Sequence, residues 1–89
     1  MIVELLDFGE NEPKTSDELA KALNVCKRDV MELVRLERLA GAPICSNYKG
    51  YYLPDNKEEL KSTIIRLYKQ AKETKRVADA MREHCKIIL

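Results

Sequence analysis

The chain has 89 residues, 45% of them hydrophobic and 35% charged, with three Gly, three Pro and no Trp. This is room for one domain with an aliphatic core, too little for most enzyme folds, and too apolar for a disordered tail. The net charge of +1 gives no general pull toward a polyanion, but it is unevenly spread: residues 1–23 hold two basic and six acidic side chains, residues 24–53 five and three, and residues 54–89 nine and six. An acidic head on a basic body hints at nucleic-acid contact.

The first segment places Ile2, Val3, Leu5, Leu6 and Phe8 before a break at Gly9 and Asn11-Glu12-Pro13. That spacing suits a short helix with one buried side, with a strand as the alternative at this length. Acids stand where a secretory leader would be basic, and no apolar run reaches ~18 residues, so a soluble, cytoplasmic protein with no membrane partner is expected. Thr15-Ser16-Asp17-Glu18 is a capping box, with hydroxyl and carboxylate each able to accept the other's backbone N–H, and predicts a helix start. Leu19, Ala20 and Leu23 give that helix a narrow apolar stripe, and Asn24 suits the left-handed residue that stops it. A second helix is predicted from Lys27 to Ala40, with Val30, Leu33, Val34 and Leu36 or Leu39 toward the core and Gly41 as its stop. Two helices joined by so short a turn read as helix-turn-helix.

Residues 42–46 and 50–53 read as two short strands joined at Asn47-Tyr48-Lys49-Gly50, with Pro54 ending the second. Alternation puts Tyr51 and Leu53 on one face and Tyr52 on the other, so one of the adjacent tyrosines packs inward and Tyr48 is the free one. From Asp55, a candidate N-cap with Glu58 in the third helical position, no Gly or Pro interrupts the remaining chain and one long helix is expected. Leu60, Ile64, Leu67, Ala71, Thr74, Ala78, Met81, Cys85 and Ile88 alternate by four and three, a heptad seam. Ile65 and Tyr68, apolar but off that seam, suggest that the first half of the helix packs on the domain, leaving Thr74, Ala78, Met81, Cys85 and Ile88 to pair with a second copy, parallel or antiparallel. The fold expected is mainly α with a small β-hairpin: a winged helix-turn-helix over 1–54 and a C-terminal helix over 55–89.

The stretch TSDELAKALNVCKRDVMELVRLERLAGAPICSNYKGYYLPDN resembles the winged helix-turn-helix domain at the N-terminus of the biotin operon repressor and, more closely, small phage-encoded proteins whose wing reads GxPIxSxxxGYYL. The resemblance covers residues 15 to about 56. It implies that the second helix lies in the major groove of double-stranded DNA, with Lys27, Arg28, Met31 and Arg35 facing bases and Tyr48 and Lys49 at the wing tip. Read from the residues, Arg38 joins the basic face of that helix, since Arg and Lys can pair with guanine and neutralise phosphates. Cys26 stands where relatives cap the helix with Ser or Thr, leaving Asp29 to serve that end. Glu32 and Glu37 place two acids on the same reading face, the feature that favours the competing reading of a scaffold for protein contacts.

The basic run Arg66, Lys69, Lys72, Lys75 and Arg76 is expected to be the solvated face of the long helix. His84 and Cys85 point about 100° apart and lack a further ligand or base, and three scattered cysteines do not make a zinc or disulfide framework. No metal, cofactor or small-molecule substrate is implied, and no residue set for catalysis stands out.

Overall fold

The computed structural model describes residues 1–84. A 3-10 turn at Ile2–Leu5 is followed by α1 (Ser16–Leu23), α2 (Lys27–Leu39), a hairpin of β1 (Cys45–Asn47) and β2 (Gly50–Tyr52), and α3 (Lys57–His84). The chain is thus mainly helical with one small antiparallel hairpin and a long last helix.

Local chemistry sets the element ends. Thr15 accepts the Glu18 N–H at 3.1 Å while the Glu18 carboxylate accepts the Thr15 N–H at 3.2 Å, the full capping box. Asn24 takes the left-handed conformation at φ 55°, and the Val25 N–H returns to the Ala20 carbonyl at 3.0 Å. Gly41 does the same work after α2: at φ 103° it lets its own N–H reach the Arg38 carbonyl and the Ala42 N–H reach that of Glu37. The last helix starts one residue later than the Asp55–Glu58 cap predicts. Asn56 is the acceptor for the Glu59 N–H, and the Glu59 carboxylate reaches back to the Asp55 N–H.

The core joins Ile2, Leu6, Leu19, Ala20, Val30, Val34 and Ile44, with Leu23, Val25 and Leu33 half-buried against it. Burial of an aliphatic side chain of this size contributes about 1.5–3 kcal/mol. Two expectations for α2 are corrected. Leu36 and Leu39 are 48% and 73% exposed, and the fourth core-facing position is Glu37, which is buried. Positions 30, 33, 34 and 37 share one side of a helix with 3.6 residues per turn, whereas 36 and 39 lie across from it.

The hairpin pairs Cys45 with Tyr52, Ser46 with Tyr51 and Asn47 with Gly50. It is tied to the start of the chain at two points: Lys14 and Tyr51 exchange both backbone bonds, at 2.8 and 2.9 Å, and Leu53 bonds to Asp7 and Gly9. Tyr52 is the inward tyrosine and Tyr51 is half-buried.

The long helix docks on the hairpin through its first turns. Thr63 is buried and accepts the Ser46 N–H at 3.4 Å, flanked by half-buried Leu60 and Arg66. Ile65 and Tyr68, expected to make this contact, are 45% and 74% exposed. They lie about 200° and 140° around the helix from Thr63, on its far side. Beyond Arg66 the side chains are exposed as far as residue 84, except half-buried Asp79. The 28-residue helix is ~42 Å long, and the exposure of residues 67–84 leaves its larger part uncovered by the domain. No helix among the described residues is long and apolar enough to cross a membrane.

Candidate nucleic-acid interface

With Val30, Leu33, Val34 and Glu37 turned inward, the opposite side of α2 carries Arg28, Glu32, Arg35 and Leu39, with Met31 at its edge. All are exposed, Met31 by 62%. Arg28 forms no ion pair among the described residues. Arg35 is held by Glu32 through Nε at 3.1 Å and Nη2 at 2.6 Å, and the same bonds depress the Glu32 carboxyl below its usual value. Lys27 sits at the helix start with its Nζ 3.2 Å from Asp17 of α1. Both pairs are solvated and exchangeable, so they leave these cations available to a stronger anion.

Two charged residues assigned to this face from the sequence do other things. Glu37 is turned away: its carboxylate accepts the N–H of Ile2 at 2.7 Å and of Val3 at 3.0 Å, tethering the N-terminal turn to α2. Removing it from the outward face leaves Glu32 as the acid there, already matched by Arg35. Arg38 is half-buried; its Nε donates to the Ile44 carbonyl at 2.8 Å and its Nη2 to the Ser46 hydroxyl at 3.2 Å. It pins β1 to α2 and is not a free base-reading side chain. Cys26 gives α2 no side-chain cap, and its thiol donates to the Asp29 carboxylate at 3.3 Å.

The hairpin tip is set by Asn47. Its Oδ1 accepts the N–H of Lys49 at 2.9 Å and of Gly50 at 3.2 Å, and its Nδ2 donates to the Glu10 carbonyl at 3.1 Å. Neither Tyr48 nor Lys49 has a positive φ, so this carboxamide supplies the closure that hairpins of the primed turn types obtain from their backbone. Tyr48, the tyrosine expected to be free, is 92% exposed, and Lys49 Nζ stands 5.6 Å from its ring centre.

Between the start of α1, the hairpin and α3 runs an open groove of about 710 Å³. Its charged lining is Lys27, Arg38, Lys49 and Arg66 against the one acid Asp17. Arg66 was expected in solvent. Instead its Nη2 donates to the Ser46 hydroxyl at 2.7 Å and also to the Ser46 carbonyl. Its place could not be found from the heptad alone, since it needs the docking angle of α3. Lys75 and Arg76, farther along, do follow the solvated reading and pair with Asp79 and Glu73 on the helix itself.

Of the expected pairing residues, Thr74, Ala78 and Met81 are exposed and uncovered, Met81 by 61%; Cys85 and Ile88 lie outside the described residues. Comparison with family models, with curated proteins and with solved structures gave no match to this chain.

Proposed function

We propose that this protein binds double-stranded DNA, placing the outward side of α2 in the major groove and the hairpin tip against the backbone, and that it works as a small regulator of transcription or replication of the phage or mobile-element kind its sequence resembles. The observation that carries this reading is the arrangement of cations. Arg28 and Arg35 stand out from α2, Lys49 and Tyr48 from the hairpin, and the groove beside the hairpin has four basic side chains to one acid. A duplex presents its phosphates and base edges together, and such a face answers both.

A single reading head with so small a net charge holds DNA weakly, and a second head would double the contact. The uncovered seam of α3, from Ala71 through Thr74 and Ala78 to Met81, offers a second copy a surface for that purpose. Titration of short duplexes at two salt concentrations tests the DNA reading. Salt-sensitive binding that weakens in Arg28→Ala and Lys49→Ala supports it; no binding at either salt removes it.

One observation favours a protein contact instead. Met31, Leu36 and Leu39 expose apolar surface on α2, Leu39 by 73%, which a DNA-facing helix does not require. In that reading the helices are a scaffold for another chain. Leu39→Ser separates the two, because it removes apolar surface without adding charge: it would weaken a protein contact and leave duplex binding in place.

A further inference from the structure

Arg38 of α2 and Arg66 of α3 both donate to one hydroxyl, that of Ser46. Neither makes an ion pair with a carboxylate among the described residues. Two half-buried guanidinium groups drawn together without an acid is a costly arrangement, since each is partly stripped of water and each repels the other. The Arg38 guanidinium feels this directly: burial above all, and Arg66 beside it, lower its proton affinity, with Tyr51 and Cys45 acting the other way. A guanidinium has five N–H donors. Arg38 spends donors of Nε and Nη2, and Arg66 of Nη2, on the hairpin, so each keeps donors in hand where it lines the groove. Lys27 and Lys49 line the same groove.

We infer that Arg38 and Arg66 form a clamp for a phosphodiester group of one DNA strand, with Ser46 as the fixed point that holds the two guanidinium groups in register. The inference rests on the DNA-binding reading and adds to it a contact from α3, outside the helix-turn-helix. Planar forks suit a phosphate's oxygens better than an ammonium does. The clamp also gives the hairpin's position a consequence: the residue that ties β1 to both helices presents the two charges to the strand. Because a phosphate carries no sequence information, this contact anchors the duplex and leaves discrimination to α2.

The test compares the full-length protein with Arg66→Gln and Ser46→Ala in duplex titrations across a range of salt. Gln at 66 keeps a polar side chain but removes the charge; Ala at 46 removes the shared acceptor and keeps both charges. Arg66→Gln is expected to weaken binding several-fold and equally for unrelated duplex sequences, and to lower the steepness of the salt dependence by about one ion. Ser46→Ala is expected to keep the wild-type steepness. A salt dependence unchanged in Arg66→Gln, with wild-type binding intact, overturns the clamp and leaves the DNA reading standing; a wild-type protein that binds no duplex removes both. Inorganic phosphate provides the remaining arm, followed by the Nε–H resonances of Arg38 and Arg66. Movement with duplex but not with millimolar phosphate supports a strand, whereas saturation by free phosphate alone assigns the site to a small anion and overturns the proposal.

Discussion

The Glu37 carboxylate accepts the backbone N–H of Ile2 across 35 positions of sequence, at 2.7 Å, and that of Val3 at 3.0 Å. An acid on the buried side of α2 therefore serves as the cap of the first turn, whose N-cap residue Met1 offers no side-chain bond of its own. Glu37→Ala strands a buried donor at Ile2 and frees the segment that fills the core with Ile2 and Leu6. A loss of about 2–4 kcal/mol is expected, from an unsatisfied buried group plus lost charge-assisted bonds. Glu37→Gln keeps an acceptor and should cost roughly half as much. Urea unfolding of the two variants measures this; equal stability to wild type in Glu37→Ala contradicts it.

The Gly50 position is closed to any side chain. Its φ is +149°, and a Cβ placed there would lie 2.3 Å from the Lys14 carbonyl oxygen. That carbonyl accepts the Tyr51 N–H, so moving it breaks the bond that ties the hairpin to the segment before α1. Gly50→Ala is expected to destabilise the protein by about 1–3 kcal/mol, the usual cost of forcing atoms into a packed site. It should also reduce hydrogen-exchange protection at Tyr51 and Lys14 more than at Val30 or Val34. Uniform loss of protection across all four would contradict a local effect.

How far the sequence foretells this molecule depends on the reach of each interaction. The Thr15–Glu18 box, Asn24 and Gly41 involve residues within a few positions of one another, and all three appear where the residue types require them. The inward side of α2 is also legible, for Glu37 falls in step with Val30, Leu33 and Val34, and its position in that period outweighs its charge. What the sequence does not carry is the angle at which α3 meets the hairpin. Thr63 docks because it opposes Cys45, Ser46 and Tyr52 in space, although Ile65 and Tyr68 are the more apolar residues. The same angle brings Arg66 to Ser46, twenty positions away, and so the basic groove becomes visible only in the assembled fold.

Burial raises the Cys45 thiol above its usual value of 9.0 and the Tyr52 hydroxyl above 10.0, with a bond involving Thr63 opposing each shift. Both groups are favoured neutral in the fold, so their contribution is fully present below about pH 9 and is lost as pH rises through the folded values. Thermal stability should therefore hold between pH 7 and 8.5 and fall above pH 9, and Cys45→Ala should remove the earlier part of the fall. Thiol labelling gives an independent check. In a Cys85→Ser chain at pH 8, exposed Cys26 is expected to react promptly and Cys45 only on unfolding.

The free half of α3 carries the uncovered seam residues Thr74, Ala78 and Met81. In a pair formed through the seam, Ala71 and Ala78 bring the helices close but bury little surface, and Thr74 sets a hydroxyl between them. Thr74→Leu should then tighten association, since an added aliphatic side chain at a central seam position contributes about 1–2 kcal/mol per chain on burial. Met81→Glu should weaken it, by placing two carboxylates across the contact. Neither substitution touches the domain, because positions 74 and 81 are exposed and lie beyond the turns that dock on the hairpin. Light scattering over a range of concentrations reads the result directly: the dimer population should rise in the order Met81→Glu, wild type, Thr74→Leu, while the unfolding of the domain stays the same. A mass that is monomeric and identical in all three removes self-pairing from the function proposed for this helix and leaves its apolar stripe to a different chain.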